Sequence, residues 1–126
     1  MGKGPEWRRV AERLVLELEE LRLRVPESLA DGSMEEALSD AVHVFRGIQA
    51  QPQYVRRPYT GLSSEAALLY QLARALRLRM EHTGLQTVSG IAHFNHRLDM
   101  FLGKARQALG YHPQLPLSLY RGDRAW

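Results

Sequence analysis

The stretch "PEWRRVAERLVLELEELRLRVP", residues 5–26, carries apolar side chains at Trp7, Val10, Leu14, Leu18, Leu21 and Val25. That spacing follows the 3.6-residue period of an α-helix and predicts one apolar stripe along one face. Pro26 lacks a backbone N–H and ends the pattern. A helix with one apolar stripe cannot bury it alone, so the rest of the chain has to supply the opposing surfaces.

Three further segments show the same period. Ser33-Met34-Glu35-Glu36 reads as a capping box opening a second helix, with Met34, Ala37, Leu38, Ala41, Phe45 and Ile48 as its stripe. A third helix aligns Leu62, Ala66, Leu69, Ala73, Leu76 and Met80 and ends near Gly84. A fourth starts at about Thr87 or Ser89, aligns Ile91, Leu98, Leu102, Ala105 and Leu109, and closes at Gly110, with Phe94 and Phe101 widening its stripe. No period-two strand pattern interrupts them. The expected fold is therefore all-α: a single-domain four-helix bundle over residues 1–110. A long Pro-containing loop joins its second and third helices, and a Pro-interrupted, irregular tail covers 111–126.

A chain of 126 residues with 44% hydrophobic and 25% charged side chains is long enough for one core and too apolar for wholesale disorder. The absence of cysteine excludes disulfides, thiolate nucleophiles and iron–sulfur ligation. No apolar run reaches the length of a membrane span, and the N-terminal residues lack a signal-peptide core; the expectation is a cytoplasmic protein with no membrane contact.

The net charge of +3 conceals an asymmetry. Residues 1–50 hold seven Lys/Arg against ten Asp/Glu, and residues 51–126 hold ten against four. An acidic half joined to a basic half fits nucleic-acid contact or a homodimer built on complementary charge. It fits equally well two halves that pack together within one chain.

Among the carboxylates, Glu17 and Glu20 lie three apart, and Glu36 and Asp40 lie four apart; each spacing shares a helical face. Glu17-x-x-Glu20 in "LELEELRLRV", followed by "EEALSDAVHVF", resembles the MazG-type nucleotide pyrophosphohydrolases, an all-α family. That resemblance implies a Mg²⁺ site on these four carboxylates. The chain departs from the pattern at Ala37, three before Asp40, where the family has glutamate. The other reading is a solvated flank, with Arg13 and Arg24 paired to glutamates of the first helix.

Asp40-x-x-His43 and His93-x-x-His96 have metal-site spacings, yet His43, His93 and His96 point away from their apolar stripes and should not converge. Arg77 and His82 fit the R-x4-H outline and so resemble HEPN-domain ribonucleases, which implies paired catalysis across a dimer. Leu78 stands where that family usually has a polar residue. The local alternative pairs Arg77 with Glu81, four residues on, and places His82 at the helix C-terminus. No catalytic residue, metal ion or cofactor is expected.

The basic half offers a surface instead. In "QYVRRPYTG", residues 53–61, Arg56 and Arg57 stand between Tyr54 and Tyr59. Arg74 and Arg77 share a flank of the third helix, and Arg97 and Lys104 lie on one line of the fourth. Tyrosine rings stack on unpaired bases while guanidinium groups neutralise phosphates, a combination suited to single-stranded nucleic acid or RNA. The expectation is a non-catalytic binding or accessory protein that contacts nucleic acid or a nucleoprotein partner through Tyr54, Arg56, Arg57, Tyr59, Arg74, Arg77, Arg97 and Lys104. A self-associating interaction protein is the remaining reading.

Overall fold

A computed structural model describes residues 5–84 and 88–123, with side chains up to residue 120. Helix is the only regular secondary structure among the described residues, with no strand among them. Four long helices form where the apolar periodicity places them: α1 (Glu6–Leu23), α3 (Ser33–Ile48), α5 (Leu62–Thr83) and α6 (Val88–Ala108). The expected Thr87 start of the last lies outside the described residues. The short helices α2 (Glu27–Ala30), α4 (Gln53–Arg56) and α7 (Leu117–Asp123) fill the connections and the tail, and residues Arg57–Tyr59 make a 3₁₀ turn.

The stripes meet in one core. Phe45, Phe94 and Phe101 are fully buried, and Phe45 meets Phe101 edge-on with ring centroids 5.8 Å apart. Each such ring removes enough apolar surface from water to contribute about 1.5–3 kcal/mol. Cross-helix pairs fix the directions. Arg22 reaches Asp99 and Arg8 reaches the Leu109 carbonyl, so α1 and α6 run antiparallel. Arg77 of α5 reaches Glu35 at the start of α3, while Gln49 just past the end of α3 reaches Tyr59 just before α5; these two helices also run antiparallel.

Three sequence expectations are corrected. The segment between α3 and α5 is not an open loop: Pro52 and Pro58 sit in or beside two short helical turns that dock Tyr59 into the core. The tail is not irregular, because α7 buries Leu117 and Tyr120 packs on Tyr111 at 4.9 Å between centroids. The cap of α3 is not a Ser33–Glu36 box. Asp31 accepts hydrogen bonds from the Ser33 amide (2.8 Å) and hydroxyl (2.6 Å), which hold its carboxyl below the ordinary value. Gly61 and Gly84, with φ of 88° and 70°, bracket α5 in the left-handed conformation that glycine adopts without a Cβ penalty.

Candidate nucleic-acid interface

Pro52 fixes an extended entry into α4, which ends at Arg56, and Pro58 sits inside the 3₁₀ turn; the chain therefore folds back on itself within seven residues. This places the two tyrosines on opposite sides. Tyr54 is 83% exposed, while Tyr59 is 2% exposed. The Tyr59 ring meets Trp7 edge-on at 5.6 Å and stacks on Phe45 at 6.2 Å. Burial pushes its hydroxyl above the usual tyrosine range. Tyr59 is thus a core residue, and its ring is not available to a base.

Arg56 and Arg57 are exposed and make no ion pair among the described residues. Arg56 lies back towards the end of α3, with its guanidinium 3.4 Å from the Gln49 carbonyl. Tyr54, Arg57, Gln53 and Pro58 line a shallow depression of about 510 Å³. Arg46, in the last turn of α3, is exposed at this same end and was not singled out from the sequence. Its position three residues before Gln49, ahead of a basic segment, is the signal that could have found it.

The other expected contacts divide. Arg74 and Lys104 are exposed and unpaired among the described residues. Arg77 is not a free cation. It holds both oxygens of the buried Glu35, through Nε and through Nη2 at 3.3 Å, and pairs with Glu81 at 2.8 Å. Those hydrogen bonds, Glu35 first, raise the pKa of its guanidinium, which stays protonated. Arg97 pairs with Glu65 at 3.2 Å. Two of the eight expected residues therefore serve the fold through ion pairs, and a third, Tyr59, serves it through packing.

The carboxylates of the MazG resemblance do share a neighbourhood. The Glu17 carboxyl is pushed up first by burial and then by the negative charges of Asp40, Glu36 and Glu20. Yet among the described residues no three Asp, Glu or His side chains are grouped so as to hold a metal ion. With Ala37 at the position of the missing ligand, these residues do not fit the magnesium that the resemblance implies. Among the described residues Arg13 and Arg24 form none of the expected pairs; Arg8 pairs with Glu12 at 3.3 Å and Arg9 with Glu6 at 2.6 Å instead. His43, His93 and His96 are exposed, and the His43 Nδ1 lies 2.8 Å from the Ser39 carbonyl one turn back.

Part of the charge asymmetry is met inside the chain. Arg77 with Glu35 and Arg106 with Glu19 join the basic half to the acidic one, and the Tyr111 hydroxyl donates to Glu12 at 2.8 Å. No helix among the described residues is long and apolar enough to cross a membrane. Compared with protein-family models, curated proteins and solved structures, the chain matches none.

Proposed function

We propose that this protein is a non-catalytic nucleic-acid-binding or accessory protein, a four-helix bundle that meets single-stranded nucleic acid or RNA with the segment joining α3 to α5. One observation supports this above the others: Tyr54 is 83% exposed beside Arg56 and Arg57, neither of which has a carboxylate partner among the described residues. An exposed aromatic ring on a short, proline-braced turn offers a base a stacking face at little ordering cost, and adjacent guanidinium groups take up the flanking phosphates. Arg46 extends the basic end along α3, while Arg74 and Lys104 supply separate phosphate contacts. Arg77, Arg97 and Tyr59 have no place in this interface.

The test is a titration of labelled single-stranded RNA at several salt concentrations. Each neutralised phosphate adds about 0.7 to the slope of log affinity against log salt. Replacing Arg56 and Arg57 together by glutamine should flatten that slope by one or two such steps. Tyr54→Ala should weaken binding by about 1–3 kcal/mol with the slope unchanged. Failure of the wild-type protein to bind RNA at low salt would overturn the reading.

A further inference from the structure

A second feature lies on a different face, where α1, α6 and the start of α7 enclose a groove of about 660 Å³. Its walls include Leu16, Leu102 and Pro116, and Leu23 stands at its edge 84% exposed. The side chain of Glu19 lines this groove while only 7% exposed. Its Oε2 is fully occupied: it accepts from Arg106 Nε at 2.9 Å and from the Leu117 amide at 2.8 Å. Its Oε1 is buried and accepts no hydrogen bond from any described residue.

A buried acceptor without a donor costs roughly 1–3 kcal/mol, more for a charged group. An ionised carboxylate has lone pairs and no proton to offer, so the missing partner has to bring an N–H or O–H. The rest of the groove narrows the choice. Arg22 is held by both oxygens of Asp99, and Arg106 by Glu19 and the Pro113 carbonyl. Arg13 remains as a cation without an ion pair among the described residues, opposed by Glu17 and Glu20, which line the same groove and also lack ion pairs there. With the Glu19–Arg106 and Asp99–Arg22 pairs set aside, an anion would meet two unpaired carboxylates for one available arginine. A cation would find an acceptor at Oε1, a negative surround and apolar walls for its hydrocarbon part.

We propose that this groove binds a small organic cation, an ammonium, amidinium or guanidinium group carried on an apolar body, with the charged head at Glu19 Oε1 and the body along Leu16, Leu102 and Pro116. Glu19 then has two separate duties: Oε2 ties α7 to α1, and Oε1 receives the ligand.

Benzamidine, an aromatic ring bearing an amidinium, is the probe, and neutral benzamide is its control. Calorimetry on the full chain should show saturable binding of benzamidine and none of benzamide. Backbone amide shifts at Leu102 and Ser118 should place the probe in the groove. Glu19→Gln keeps a carbonyl oxygen for Arg106 and Leu117 but loses the charge and puts an NH₂ donor in place of the Oε1 acceptor. It should weaken benzamidine at least tenfold, about 1.4 kcal/mol, while circular dichroism still shows a cooperative melt. Equal binding of benzamide, shifts confined to other faces, unchanged affinity in a folded Glu19→Gln protein, or no saturable binding would each overturn the proposal. If the variant does not fold, the contrast between benzamidine and benzamide on the wild-type protein decides.

Discussion

Glu17 and Glu19 stand two residues apart on α1 and therefore face different neighbours. On the side towards α6 and α7, Glu19 is buried against Arg106, Glu12 accepts from Tyr111, and Arg22 grips Asp99. On the side towards α3, Glu17 has the negative charges of Asp40 and Glu36 for company and no ion pair among the described residues. One seam is closed by opposite charges and the other carries like charges. A density of glutamates in a helix therefore does not mark a site by itself; what lies across the seam decides whether a carboxylate holds the fold together or strains it.

The largest effect should come from the closed seam. Arg106→Leu leaves Glu19 buried with one donor fewer, and removing one partner of a buried pair costs about 3–5 kcal/mol, to be read from urea unfolding. A loss below about 1 kcal/mol would show that the Arg106–Glu19 pair contributes little to holding this seam. Arg22→Ala tests the outer part of the same seam. The Asp99 side chain is 54% exposed, so the loss should stay under about 1 kcal/mol despite the two-pronged geometry. A cost equal to that of Arg106→Leu would erase the distinction between the inner and outer pairs.

The smallest effect, with the opposite sign, should come from the other seam. Because the folded state raises the Glu17 pKa, its ionised form opposes folding. That penalty is complete at neutral pH and fades as the pH falls through the folded-state value and the group protonates. Glu17→Gln should accordingly raise the melting temperature slightly at pH 7, and the gain should vanish once the pH is below the ordinary carboxylate value. A lower melting temperature at pH 7 would mean that Glu17 has a favourable partner, and the contrast between the seams would fail.

The long helices were legible because their information is local: Leu14, Leu18 and Leu21 repeat at a spacing that only a helix turns to one side. Arg77 with Glu81 was legible for the same reason, at four residues. What could not be read depends on partners far along the chain. Glu35 meets Arg77 across 42 residues, and Glu19 meets the Leu117 amide across 98. No spacing rule announces either. The two tyrosines of the segment joining α3 to α5 make the same point at short range. Their flanking sequences are alike in charge and proline content, and only the presence of Trp7 and Phe45 beneath Tyr59 separates a buried ring from an exposed one. The candidate site was therefore legible as a segment and not as a set of side chains.

The edge-on contact between Trp7 and Tyr59 also gives the molecule an optical reporter. The chain has two tryptophans, so a Trp126→Phe background leaves Trp7 as the sole indole. Its emission then senses whether the segment carrying Tyr54 is seated on the core or lifted from it. RNA that quenches neither its intensity nor its wavelength would be received on a rigid shelf. A red shift on binding would mean that the shelf opens, and that the segment behaves as a hinged flap whose movement can be timed by stopped-flow mixing.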